Sequence, residues 1–135
     1  MCDNFYMVEV TEQEFQALVD KAIESLPAVH KDNIKNVAFF VKQNPSERQL
    51  TGAGVRQNGL LLGLYEGVPL PRRQGLTKTL PDTITLFKEP LQLISPSKRD
   101  LAINIRHTVW NEVAHYFGLD HDRIDEIESN FSQNS

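Results

Sequence analysis

The sequence predicts an α+β domain, in which a small sheet of at least three strands packs against an N-terminal helix and a long C-terminal helix. Three observations predict it. A T-x-x-E box opens an apolar stripe at helical spacing near the N-terminus, and three short apolar runs bounded by glycine and proline fill the middle. A second helical stripe, closed by a glycine, follows Ser97. Helix, strands, helix is the order of a short α+β unit.

The first helix begins at Thr11 and Glu14, whose side chains can each satisfy an orphan backbone N–H of the first turn. Phe15, Leu18, Val19, Ala22, Ile23 and Leu26 then form one apolar face, and Pro27 ends it. Residues 36–43 read as a strand. Val37, Ala38, Phe39, Phe40 and Val41 are apolar on both faces, which predicts a buried strand. The stretch Asn44-Pro45-Ser46-Glu47-Arg48 reads as a turn or loop, and Gln57-Asn58-Gly59 as another. Leu60 to Tyr65 is a second strand interrupted at Gly63, followed by an irregular Gly- and Pro-rich connection over residues 66–74. Thr83 to Lys88, between Pro81 and Pro90, is the third strand. The second helix takes Ser97 as its N-cap and runs to about Phe117, with Leu101, Ala102, Ile105, Val109, Val113 and Phe117 on one face and Gly118 as its stop.

The chain has 135 residues, the length of one domain, so residues 1–135 are read as a single domain with a short frayed tail from about residue 129. Hydrophobic residues make up 40% and charged residues 24%, enough apolar material to exclude a disordered chain. The net charge of −4 argues against nucleic acid as a partner. A single cysteine, Cys2, excludes an intrachain disulfide and a cysteine-based zinc site. No apolar run is long enough for a membrane span. The acidic start Met1-Cys2-Asp3-Asn4 lacks the apolar core of a signal peptide, so the expected compartment is the cytoplasm. Oligomeric state is not legible.

Three of the four histidines lie between residues 107 and 121. Within that stretch the frame is Asn111-Glu112-x-x-His115-x-x-Gly118-x-x-His121. A zinc peptidase uses H-E-x-x-H because two imidazoles one helical turn apart reach the same metal, while the glutamate beside the first serves as general base. Here every element of the extended frame is present except the first histidine, which is Asn111. Its amide oxygen is a neutral, hard donor, better suited to calcium or magnesium than to zinc. His107 cannot replace it, since eight residues separate it from His115, roughly 12 Å along the axis.

This segment resembles the active-site helix of the minimal zincin-like metallopeptidases, small single-domain bacterial proteins. Asn36-Val37-Ala38-Phe39, the run Leu61-Leu62-Gly63-Leu64-Tyr65-Glu66-Gly67-Val68-Pro69-Leu70, and Leu80-Pro81-Asp82-Thr83-Ile84 resemble that family's strands and connection in the same order, and the first helix ending in Leu26-Pro27 also fits. The resemblance implies the minimal zincin-like fold and zinc-dependent hydrolysis of a peptide or protein substrate. It implies Glu112 as the catalytic group, and His115, His121 and Asn111 at the metal positions. Two departures stand out. Asn111 replaces histidine, and His121, between Asp120 and Asp122, stands where the family is usually acidic. His121 restores the three-ligand spacing of the metzincins, but their methionine turn is missing, because the only methionines are Met1 and Met7.

The expectation is therefore a degraded site in which zinc is weak or absent. Two alternatives stay open: an inactive peptide- or protein-binding module that keeps the cleft, and a hard-cation site built from Asn111, Glu112 and Asp120 or Asp122. Plainer readings stand beside each residue. Glu112 would pair with Arg72, Arg73 or Arg106, His30 and His107 would be surface residues, and Arg72 and Arg73 would pair with surface acids. The acidic segment after Asp120, with Ile124 and Ile127 on one edge, would be a short solvated helix.

Overall fold

The computed structural model describes residues 7–55, 59–67, 81–119 and 126. Helix α1 spans Glu12–Glu24 and carries the expected capping box: Thr11 Oγ1 accepts from the Glu14 N–H at 3.0 Å, and Glu14 Oε1 accepts from the Thr11 N–H at 2.9 Å. Phe15, Val19 and Ala22 are buried on its inner face. Lys98 Nζ donates to Glu14 Oε2 at 2.8 Å, which ties the start of α1 to the final helix. That donor and the cap hold the Glu14 carboxyl down at about 2.

The short helix α2 spans Ala28–Lys31, immediately after Pro27. It stacks His30 on Trp110 and Phe117, with ring centroids 5.1 and 5.4 Å away. His30 is thus half-buried rather than a plain surface residue. Strands β1 (Val37–Lys42), β2 (Gly63–Glu66) and β3 (Asp82–Phe87) form one sheet in the order β1-β3-β2. β1 runs parallel to β3, and β2 antiparallel to it.

This order corrects the reading of β1 as a buried strand. It is an edge strand, and Phe40 is 46% exposed. The strand in the core is β3, where Ile84, Leu86 and Phe87 are fully buried. An apolar run reports the faces of a strand, not its rank in a sheet.

Two more short helices were expected as loop and strand end. α3 spans Glu47–Gly52 and starts with a capping box from Ser46 and Gln49. α4 spans Lys88–Leu93 and leaves β3 without an intervening turn. Ser95 and Gln92 then satisfy buried backbone groups: the Ser95 C=O accepts from the Val8 N–H at 2.8 Å, and Gln92 Oε1 accepts from the Val10 N–H at 2.9 Å. Buried polar atoms need such partners.

The final helix, α5, spans Lys98–Tyr116 and is capped by Ser97, which accepts from the Asp100 N–H. Leu101, Ile105, Val109 and Val113 are fully buried, as the stripe predicts. Trp110, Ala114 and Tyr116 are buried too, so the inner face is wider than one stripe. At the other end, Gly118 has φ +73°, its N–H donates to the His115 C=O, and the Leu119 N–H donates to the Ala114 C=O. These two bonds are the Schellman motif, which needs a left-handed residue at Gly118. Among the described residues no helix is long and apolar enough to cross a membrane. Arg72, Arg73, residues 57–58 and the acidic segment apart from Glu126 lie outside the described residues.

Candidate active site

The last two turns of α5 lie against β2. Contact this close depends on Gly63. A Cβ there would sit 2.6 Å from the Thr108 methyl, 3.2 Å from the Thr85 carbonyl oxygen and 3.4 Å from Glu112 Cγ. Thr108 is held in place, because its hydroxyl donates to the Asn104 C=O at 2.8 Å.

Register then places the next residue of the site. The Phe87 N–H donates to the Leu62 C=O, and the antiparallel pairing continues through Gly63↔Leu86 and Tyr65↔Ile84. Hydrogen-bonded and non-hydrogen-bonded pairs alternate along such a ladder. Gly63 and Tyr65 therefore point their backbone groups away from β3, toward the outer edge of the sheet. The Tyr65 N–H donates to Glu112 Oε1 at 2.8 Å. Its phenol donates to Asp82 Oδ2 at 2.6 Å, and its ring meets Tyr116 edge-on at 6.2 Å. Tyr116 in turn clamps the chain before β1, accepting from the Lys35 N–H and donating to the Lys35 C=O.

Glu112 is buried, at 8% exposure, and Asn111 beside it is half-buried. Among the described residues the carboxylate does not pair with Arg106: Glu112 Oε1 takes the Tyr65 N–H and also faces His115 Nδ1 at 3.2 Å, one helical turn away. This contact raises the His115 pKa above its ordinary 6.5, chiefly through the hydrogen bond to Glu112. Partial burial opposes the shift and the charge of Glu112 adds to it.

A raised folded-state pKa means that this tie contributes stability fully below the unfolded value and loses it as pH rises through the folded value. We expect His115 to titrate above 6.5 in the folded protein and Glu112→Gln to lower its midpoint, as followed by NMR of the imidazole. An unchanged midpoint in the variant would show that Glu112 does not set it.

Of the residues expected at the site, the structure brings Glu112 and His115 into contact. Asn111 stands one turn before His115 on the same helix, His107 is exposed, and His121 lies outside the described residues. Tyr65 was missed as a site residue. It lies 47 positions from Glu112 in sequence, and only the strand register joins them. From sequence alone Gly63 reads as an interruption of the strand. Its signal was a lone glycine within a strand pattern, which marks close approach of another element.

A helix carrying E-x-x-H beneath the edge strand of a small mixed sheet is the arrangement of a metallopeptidase-type domain. Residues 34–130 match the zincin-like metallopeptidase family, and the chain belongs to that family. No curated protein matches it.

Membership implies zinc, and the residues can be tested against that ion. A catalytic zinc takes three protein ligands. The described frame supplies one imidazole, His115, whose Nδ1 is turned to Glu112, and one amide, Asn111. Among the described residues no group of three His, Cys, Asp or Glu side chains could hold a metal. This donor set does not by itself fit zinc.

Proposed function

We propose that the chain is a peptide- or protein-binding member of the zincin-like family that keeps the zincin cleft, with zinc-dependent hydrolysis weak or lost. The observation that carries this reading is the engagement of Glu112. Its Oε1 accepts the edge-strand N–H of Tyr65 and faces the His115 imidazole, while asparagine stands at the first ligand position of the frame. A general base needs an oxygen within reach of the attacking water. Here one oxygen holds the strand to the helix instead. An extended segment would add along the outer edge of β2 through the backbone groups other than the Tyr65 N–H, which Glu112 already takes, with side-chain pockets giving specificity.

The second reading is an active zinc peptidase with Glu112 as base and His115, His121 and Asn111 as ligands, and family membership supports it. Incubating the protein with a mixed peptide pool separates the two. With zinc added, we expect peptides to be retained and recovered intact by mass spectrometry. Cleavage that needs zinc and stops with chelator would establish the second reading instead.

A further inference from the structure

A second site lies at the opposite edge of the sheet, where the C-terminal ends of the parallel strands β1 and β3 meet the first turn of α1. An open cleft of about 330 Å³ there is lined by Lys42, Lys88, Gln13, Gln16, Gln43 and Glu12. None of these residues belongs to β2 or α5. Lys42 is the register partner of Phe87, so Lys88, the next residue, brings a second ammonium group to the same strand ends.

Lys88 is unusual for a lysine, being only 8% exposed. Its stem is covered by the fold, while its ammonium is not among the buried unpartnered atoms and so meets solvent in the cleft. Among the described residues neither Lys88 nor Lys42 makes an ion pair or hydrogen bond, and Glu12, although in the cleft, pairs with neither. The side-chain amides of Gln13, Gln16 and Gln43 bring further donors. Gln16 and Gln43 spend one N–H each on Asp20 and Glu89. The first turn of α1 adds the positive end of a 13-residue helix.

We propose that this cleft binds a phosphate group, either free phosphate or a small phosphate ester, with Lys88 and Lys42 as the charged contacts. The donor chemistry favours phosphate over carboxylate. Two ammonium groups match a dianion, lysine binds phosphate as a point charge, and the planar fork that arginine offers a carboxylate is missing.

The test is titration with inorganic phosphate and with glycerol phosphate at about pH 8.5, above the second ionisation of both probes. Ionic strength is held constant with chloride, acetate serves as the carboxylate control, and backbone and glutamine amide shifts are followed by NMR. We expect saturable shifts centred on Gln13, Gln43 and Lys88, with acetate weaker. Equal affinity for the two probes would assign the site to the phosphate group alone, and tighter ester binding to a phosphate ester. Lys88→Met keeps the buried stem and should weaken binding by about tenfold or more. Lys42→Gln, at an exposed position, should weaken it even if the Lys88 variant folds poorly, and Glu12→Gln should strengthen it by removing a like charge. Shifts that do not saturate, acetate binding as tightly as phosphate, or unchanged affinity in folded Lys88→Met and Lys42→Gln would overturn the proposal.

Discussion

Asn111→His is expected to raise zinc affinity by roughly a hundredfold or more, since losing even a supporting partner of a metal ligand typically costs tenfold to a hundredfold. The substitution places an imidazole one turn before His115 on the same helix. Asn111 is half-buried and outside the core, so the larger ring need not displace Val109, Trp110 or Val113, which are fully buried. With free zinc at about a hundred times its dissociation constant, the variant should gain about 2.7 kcal/mol of stability. Calorimetric titration and melting with and without zinc would measure both effects. Equal affinities in the two proteins would show that position 111 is not a ligand position.

Gly63→Ala is expected to be the most destabilising small substitution at the contact of β2 with α5, costing about 1–3 kcal/mol through overpacking. The added Cβ would lie 2.6 Å from the Thr108 methyl. Thr108 is β-branched, stiff at χ1, and holds its hydroxyl on the Asn104 C=O. Turning the methyl away would break that bond. Moving β2 away would lengthen the Tyr65–Glu112 contact, now 2.8 Å. The melting temperature should fall by about 3–5 °C per kcal/mol lost. Thr108→Ala removes the obstructing methyl, so adding it to Gly63→Ala should recover part of the loss in a double-mutant cycle. Strict additivity would mean that the contact between these two positions is not the cause.

Much of this architecture is legible in the residues because its signals are local. The box at Thr11 and Glu14, the stripe from Phe15 to Leu26 and the stop at Gly118 each depend on neighbours within a turn or two. The same box at Ser46 and Gln49 does not stand out, because no apolar stripe follows it in a six-residue helix. α4 is hidden for a different reason: Lys88 and Glu89 follow the apolar end of β3 with no breaker before Pro90. The ranks of β1 and β3 were not legible, since which strand is central depends on pairing across 45 positions.

At the site, Glu112 and His115 stood out by their spacing along one helix. Gly63 and Tyr65 acquire their roles only once β2 is docked on α5, and Lys88 only once β1 lies beside β3.

Whether the frame from Asn111 to His121 holds a metal in the unaltered chain decides between the two functions. Titration of metal-stripped protein with zinc by calorimetry tests this most directly. The expected result is no binding, or weak binding that a competing chelator of micromolar affinity abolishes. Stoichiometric zinc that such a chelator cannot remove, accompanied by a shift of the His115 imidazole resonances, would contradict it and place Asn111 within a working metal centre.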